Sequence, residues 1–578
     1  MDATSRLAAL DRGFRTGYLD YQTLTAQLQG WAEAFPDLCR LRSLGETPEG
    51  RSIWHLTIGR DPDRIRPAVW IDGNMHAPEL AGSSAALAIA EDALRIHLGG
   101  DGPLHGPPPH LRERLRDVLF YIMPRMSPDG AECVLATGRY VRSAPRDRRP
   151  NREAPRWNRG DLDGDGLSLL MRIEHPAGEF VESRDMPGLM VARRLEDTGP
   201  YFKLFPEGTI EPFDGATIPD PHYLSDNQTD FNRNFPFAWM PEHEQAGAGG
   251  FPTSEPETRA VVEFATLHPE IFAWVNLHTF GGVFIRPLGD KPDSKMNRED
   301  LALYRQIGAW AEELTGYPMV SGFEEFLYEP EKPIYGDLVE YAYQQRGAIA
   351  YAVELWDLFK RLGKPRPKKF VDYYSEVTRD DLIALVRFDR EENAGRVFRP
   401  WRRFDHPQLG PLEIGGVDWR IGIANPPYER LAEVCAAQAA HFFKLAALAP
   451  DVRIRQVGKS SESDNTTCVT LSVENYGYLP TYILASAKKL DFNEPLWARA
   501  ETSGCELVSP ADAVREVGHL DGWGRGLSNG EEPLAGGESK GSSTDRRLTY
   551  LVRGEGTITV RVGSCRVGWK VHTEHISS

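Results

Sequence analysis

Apolar positions along this chain recur at two spacings, and the places where one spacing gives way to the other outline the elements. Tyr18 to Phe35 repeats at helical spacing, and a hairpin-like stretch follows through Gly45, Gly50 and Ile53 to Ile58. Ala68 to Ile71 is a short unbroken apolar run, the mark of a buried strand, and it delivers Asn74 and His76. Pro78 suits a first helical turn, and the alanine-rich segment Leu80 to Leu94 continues as a predicted helix. Val118 to Met123 predicts another strand, ending at Pro124. Ser254-Glu255-Pro256-Glu257 has the form of a capping box and opens a predicted helix through Val261, Phe264 and Leu267. Phe272 to Leu277 and Ala348 to Val353 read as strands that end at His278 and Glu354. Strands alternating with helices predict an α/β sheet, in which sites gather beyond the carboxyl ends of the strands.

Residues from about 146 to 225 break this rhythm, being rich in Arg, Asp, Pro and Gly, and they read as an insertion. Tyr428 to Leu448 predicts a long amphipathic helix that closes the α/β unit. Beyond about 450, Thr467 to Val473 and Thr557 to Val562 alternate as half-buried strands do, and a Gly/Ser/Glu-rich stretch near 525 to 545 reads as a loop. The expected organisation is therefore an α/β unit over residues 1–449, carrying the insertion, followed by an all-β accessory domain over 450–578.

Composition narrows the function. A chain of 578 residues exceeds one small core, so two or more domains are expected. Its 41% hydrophobic and 26% charged residues are ordinary for a globular protein. A formal charge of −17 argues against nucleic acid or an anionic membrane as partner. No stretch approaches the roughly eighteen apolar residues of a membrane span. The six cysteines are scattered without Cys-x-x-Cys spacing, which suggests neither a disulfide framework nor a thiolate metal site. Met1 to Gly13 lacks an apolar run with a cleavage site, so the expectation is a cytoplasmic enzyme.

The chemistry lies at the strand ends. His76-x-x-Glu79 sits at a strand-to-helix turn, where residues three apart can face one point. A His-x-x-Glu pair alone is weak evidence, because about one chance match is expected in a chain this long. His278 is the best third ligand, and Glu354 ends an otherwise apolar run. Two histidines and a glutamate can hold zinc with one position open, and a separate carboxylate can then drive water at a carbonyl. Each residue has a bland alternative. Arg142 lies in a basic stretch that could be a solvated face, Asn232-Arg233 could be a turn, and Glu354 could be a structural carboxylate. The parts fit together only as a metallohydrolase.

His76-x-x-Glu79, the segment Pro124-Arg125-Met126-Ser127-Pro128-Asp129-Gly130, Asn232-Arg233, His278 and Glu354-Leu355-Trp356 together resemble the zinc carboxypeptidases related to carboxypeptidase A. The resemblance covers roughly residues 18 to 449 and implies a mixed central sheet flanked by helices. It implies one Zn2+ held by His76, Glu79 and His278, with Glu354 as the general base toward zinc-activated water. Arg142 falls at the family's oxyanion-stabilising arginine, and Asp230 at the acid that orients the first zinc histidine. Asn232 and Arg233 would grip the terminal carboxylate of a peptide substrate with a free C-terminus. The family's mobile tyrosine corresponds to Tyr328 or Tyr335, with Tyr328 favoured. Val339 corresponds to the base of the side-chain pocket, where a small apolar residue argues against specificity for basic residues.

The insertion contains Asp161-Leu162-Asp163-Gly164-Asp165-Gly166, the opening of a calcium loop. Its twelfth position is Arg172 instead of a bidentate glutamate, so Ca2+ near Asp161, Asp163 and Asp165 stands beside a plain carboxylate-rich turn as a reading. Because Arg142 just precedes it, the insertion is expected to rim the active site. Two rivals to the carboxypeptidase reading are a zinc deacylase of N-acyl amino acids, resembling succinylglutamate desuccinylase and aspartoacylase, and a non-catalytic protein that binds peptide ends.

Overall fold

The computed structural model describes residues 2–100, 107–148, 153–221, 227, 229–329, 331–463, 465–524 and 541–577. Its centre is an eight-stranded mixed sheet. From edge to edge the strands are Cys39–Glu46, Ser52–Ile58, Leu119–Met123, Ala68–Gly73, Ile271–Thr279, Ile349–Leu355, Val283–Arg286 and Met319–Ser321. The four from Leu119–Met123 to Ile349–Leu355 run parallel, and the outer pairs add antiparallel neighbours. Every residue of Ala68–Gly73 and of Leu119–Met123 is buried, as continuous apolar runs require when helices cover both faces. Helices Leu80–Leu98, Pro256–Leu267, Arg298–Thr315 and Tyr428–Ala446 supply much of that cover.

The predicted elements form with small shifts. Tyr18 to Phe35 contracts to a helix over Tyr21–Ala34, and the hairpin becomes Cys39–Glu46 and Ser52–Ile58. Pro78 falls just ahead of its helix, which begins at Leu80. The strand containing His278 runs on to Thr279, and Glu354 lies within Ile349–Leu355. The helix at Pro256 starts without a capping box, since its N-cap Glu255 makes no side-chain cap bond. Asn234 takes over that end: its Oδ1 accepts from the Glu255 N–H at 3.1 Å and the Thr258 hydroxyl at 2.7 Å.

Within residues 146–225 the chain forms real strands whose partners lie far along the sequence. Leu170–Glu174, Phe180–Glu182, Met190–Ala192 and Tyr201–Pro206 join Phe398–His406 and Gly410–Val417 in a six-stranded antiparallel sheet. Arg156–Arg159 and Gly208–Glu211 pair separately.

The C-terminal β-rich domain contains two four-stranded antiparallel sheets. One holds Val452–Ser463, Thr466–Asn475, Asp545–Arg553 and Glu506–Leu507; the other holds Val514–Gly518, Leu496–Ser503, Gly556–Ser564 and Gly568–Ile576. They share an apolar core that includes Val469, Leu471, Ala498, Tyr550 and Val560. Of the stretch expected as a loop at 525–545, residues 525–540 lie outside the described residues. The remainder is a short turn, Gly541–Thr544, and the start of a strand at Asp545. No helix among the described residues is long and apolar enough to cross a membrane.

Candidate active site

Three neighbouring parallel strands end at one place. His278 is the register partner of Glu354, so the two side chains leave the same face of adjacent strands. Leu277 pairs with Gly73, the last residue of the strand that feeds the His76 turn. Asn74 makes that turn with φ of 56°, a left-handed conformation that asparagine tolerates better than most residues. Its amide donates to the carbonyls of His76 at 2.7 Å and Ala77 at 3.1 Å, and its Oδ1 accepts from the Ser83 hydroxyl at 3.2 Å. Behind the turn, helix Leu80–Leu98 presses directly on the strand. A Cβ on Gly73 would come within 2.4 Å of the Gly82 carbonyl carbon, so glycine is needed for the contact.

The ligand geometry is closed and specific. His76 Nδ1 lies 2.8 Å from Glu79 Oε1, His278 Nδ1 lies 2.9 Å from Glu79 Oε2, and the two Nδ1 atoms are 3.1 Å apart. The outer ring nitrogens face acceptors. His76 Nε2 is 3.2 Å from Asp230 Oδ1, and His278 Nε2 is 2.5 Å from Asn276 Oδ1. Those acceptors assign the proton to each Nε2 and turn the Nδ1 lone pairs inward. Protons on both Nδ1 atoms would instead oppose two N–H groups across 3.1 Å. Two imidazole lone pairs and a carboxylate thus converge on one point, which is a fit to zinc by donor type and by outer partners. His76, Glu79 and His278 match a single Zn2+ site.

The electrostatics follow from burial and these neighbours. Burial pushes the Glu79 carboxyl up, but whenever His76 and His278 are protonated their charge outweighs it and holds the group well below the usual carboxylate range. Asp230 is likewise opposed by burial, yet Arg142, Arg233 and His76 hold it well below that range. Glu354 goes the other way. Burial and the charge of Glu79 raise it well above an ordinary glutamate, with only Arg142 offsetting them.

A cavity opens on this cluster, lined among others by His76, Arg142, Asn232, Arg233, His278, Val339 and Glu354. Arg142 Nε donates to Asp230 Oδ2 at 3.1 Å, and its Nη1 stands 3.7 Å from Glu79 Oε1. Arg233 Nη1 donates to the Asn232 carbonyl at 2.7 Å, and Asn232 Oδ1 accepts from the Leu338 N–H at 3.0 Å. Neither tyrosine weighed from the sequence lines the cavity. Tyr328 is 60% exposed, with Leu327 beside it facing the cavity, and Ile334 lines it where Tyr335 does not.

Sequence reasoning missed the support behind His278. Asn276, whose Oδ1 receives the His278 proton, donates its amide to Asp72 Oδ1 at 2.5 Å. Asp72 Oδ2 accepts from the indoles of Trp70 and Trp274, both at 2.8 Å. The signal was present: Asp72 and Asn276 are polar residues inside runs otherwise buried and apolar. In the acidic loop, Asp161, Asp163 and Asp165 can bring one ligand atom each within 4.8 Å of one another. Their oxygens accept loop N–H groups of Gly164, Asp165, Gly166 and Leu167. Arg172 pairs with Glu413 and Glu182, so nothing at the twelfth position completes a calcium loop.

Comparison with known proteins agrees with this geometry. The family model described as zinc carboxypeptidase matches residues 24–172 and 212–377, together more than half of the chain. Residues 451–574 match a domain of unknown function, DUF8731. A zinc carboxypeptidase of Saccharothrix mutabilis subsp. capreolus is 31% identical over 141 residues, 24% of this chain and 30% of the relative. Carboxypeptidase B of Astacus astacus is 30% identical over 115 residues, 20% of this chain and 34% of the relative. The chain thus spans about a third of the length of these curated relatives. The solved structure of thrombin activatable fibrinolysis inhibitor is 18% identical with a TM-score of 0.39, covering 66% of this chain and 76% of that one.

The expectation of a cytoplasmic enzyme is corrected by these matches, because the carboxypeptidase A and B relatives are secreted extracellular enzymes. Charge and an unremarkable first segment carry no address, which is why the sequence misled. With the ligand triad, its outer partners and the family match in agreement, this chain belongs to the zinc carboxypeptidase family.

Proposed function

We propose that the protein is a zinc-dependent carboxypeptidase that releases C-terminal amino acids from peptides. The observation that carries the reading is the convergence of an acceptor-only triad and the raised carboxyl of Glu354 on one cavity that also contains Arg142, Asn232 and Arg233. Zinc held by His76, Glu79 and His278 would polarise a carbonyl and make water acidic enough to ionise near neutrality. Glu354 takes the proton from the attacking water and hands it to the departing amine. Arg142, fixed by Asp230, turns its remaining N–H groups to the oxygen on which negative charge develops. Arg233 and Asn232 bind the terminal carboxylate, the guanidinium offering two parallel donors, so a chain end is distinguished from a mid-chain peptide. Tyr328, exposed beside the cavity, is the tyrosine that would move over a bound substrate.

We read residues 1–449 as the catalytic unit, with 146–225 inserted into it, and 450–578 as the accessory unit. The strand pairing of the insertion with Phe398–His406 and Gly410–Val417 supports treating all three segments as one subdomain.

The test is metal analysis together with amino-acid release from blocked peptides. One zinc per chain is expected, with release from peptides bearing a free C-terminus and none from their amides. Glu354→Gln should retain zinc and lose about 100-fold or more in turnover. Undiminished hydrolysis by that variant refutes the role of Glu354, and cleavage of N-acyl amino acids alone would replace the peptidase reading with a deacylase.

A further inference from the structure

A second cavity lies where the C-terminal β-rich domain meets the starts of the central strands, at the other end of the sheet from the candidate active site. Pro67 and Val118, two of its lining residues, immediately precede strands Ala68–Gly73 and Leu119–Met123. Five cations line it, and two of them are already paired. Arg116 meets Glu113 at 2.7 Å, and Arg453 donates twice to Asp451 Oδ2, at 3.0 and 2.7 Å. The other three, Arg60, Arg114 and Lys570, have no carboxylate in ion-pair range among the described residues. Arg114 is half-buried and makes a single long hydrogen bond, 3.4 Å to the Ala449 carbonyl.

Arg66, the residue before Pro67, adds a fourth unbalanced cation. It is only 8% exposed, its guanidinium donates to the carbonyls of Arg60 and Asp61, and its Nε has no partner among the described residues. Against these four the lining sets one unpaired acid, Asp117, whose charge is the strongest influence holding Arg66 up against burial. Burial likewise pulls Arg114 below the ordinary arginine value, with Asp451 opposing and the charge of Arg453 adding to the fall. The walls are fixed by the joint itself. A Cβ on Gly568, at the start of strand Gly568–Ile576, would run into the Ile65 carbonyl, so the β-rich domain presses directly on the segment before Pro67.

Guanidinium donors left unmet away from water are costly, and cations crowded together repel. The chain as a whole carries −17, so this concentration of positive charge is local. An anion in the cavity would accept from the unmet donors and offset the repulsion. A carboxylate brings a single charge and a pair of oxygens, whereas a phosphate group brings about two charges and at least three acceptor oxygens. Cations from separate segments call for the second, because each guanidinium can grip a pair of oxygens while the ammonium acts as a point charge. We propose that this cavity binds a phosphate group, free or as the ester end of a larger molecule, through Arg60, Arg114 and Lys570. Because Arg60 and Arg114 belong to the α/β unit and Lys570 to the β-rich domain, the bound anion would tie the two together. The site stands apart from the zinc cluster and does not depend on the reaction proposed above.

The experiment is calorimetric titration of the full-length, zinc-loaded protein with inorganic phosphate, with glycerol phosphate as a phosphomonoester, and with acetate as a singly charged control. At about 0.15 M salt, one site per chain is expected with Kd below about 1 mM for the better phosphate ligand, and acetate at least tenfold weaker. The thermal midpoint should rise by a few degrees at about 100 times Kd. Tighter binding of the ester assigns the site to a larger phosphorylated molecule, and tighter binding of phosphate assigns it to the free ion; either supports the proposal. Combining Arg114→Gln with Lys570→Gln should weaken binding at least tenfold while zinc content stays unchanged, and Arg114→Lys should lose less than Arg114→Gln. Absence of both heat and midpoint shift in the wild-type protein overturns the proposal, whether or not the variants fold. Acetate binding as tight as that of phosphate overturns it too. So does phosphate binding that survives in the folded double variant, which would place the anion at the zinc or elsewhere.

Discussion

At the scale of single residues, His278 is set in place by a relay that reaches two strands. Its Nε2 proton goes to Asn276, whose amide goes to Asp72, and Asp72 is fixed by two indoles. A ligand whose outer nitrogen is tied down keeps one tautomer and one orientation, and losing such a partner typically costs about 10- to 100-fold in metal affinity. Asn276→Ala should therefore weaken zinc binding by about that factor in a competition titration, while the folded protein persists. Zinc affinity equal to wild type would mean that the strand backbone alone orients the ring. His76, Glu79, His278 and Glu354 were legible in the sequence because each ends an apolar run, where a polar residue has no reason to sit unless it works. Asp72 showed only as a polar residue inside an apolar run, since two of its partners, Trp274 and Asn276, lie on the next strand and only pairing register reveals them. The choice between Tyr328 and Tyr335 was unreadable for a similar reason: spacing gives a position along the chain and says nothing of where a side chain points.

Element by element, the central sheet was legible and the insertion was not. The parallel strands are continuous apolar runs, and their limits moved by only a few residues. The strands of the insertion are three to six residues long and half-exposed, and they complete a sheet only with Phe398–His406 and Gly410–Val417. Nothing local announces such partners. This subdomain contains a buried acid with a readable pH signature. Glu207 accepts from the N–H groups of Leu162 at 2.6 Å and Leu169 at 2.8 Å, beneath the Asp161–Asp165 loop. Burial raises it to about 7, the two N–H groups work against that, and Asp163 and Asp161 add to it. Because the folded protein binds this proton more tightly than the unfolded chain, the contribution is complete below about 4.5 and is lost as pH climbs through 7. In urea unfolding with chelator present, wild type should lose stability relative to Glu207→Gln between pH 5 and pH 8. Parallel curves for the two proteins would show that Glu207 stays ionised throughout.

For the whole molecule, the question is whether the C-terminal β-rich domain is a tethered module or part of the catalytic body. Arg566 decides it. The side chain is 1% exposed and its guanidinium donates to four carbonyls of the α/β unit: Pro269 at 3.0 Å, Ile271 at 2.9 Å, Arg346 at 3.0 Å and Gly347 at 2.7 Å. Its Nε reaches Asn493 at 3.3 Å. Those carbonyls lie at the starts of the two strands that end in His278 and Glu354. Gly347 permits the approach, for a Cβ there would meet Arg566 Nη2 at 2.9 Å and Ala487 at 2.6 Å. Leu479, Ile483, Leu484 and Ala487 extend the contact by joining the core of the central sheet. A flexibly linked module would not bury a guanidinium on its neighbour's backbone, since that charge is tolerable only while every donor is met. The full chain should therefore unfold in one cooperative transition. Arg566→Met leaves four buried carbonyls unpaired, at about 1–3 kcal/mol each if none finds water, so a drop in thermal midpoint of many degrees is expected. If calorimetry instead resolves two transitions in the wild-type protein, or if Arg566→Met unfolds as wild type does, the β-rich domain is merely attached. A single transition that Arg566→Met lowers or splits would show that the catalytic sheet is held at its far end by this one buried cation.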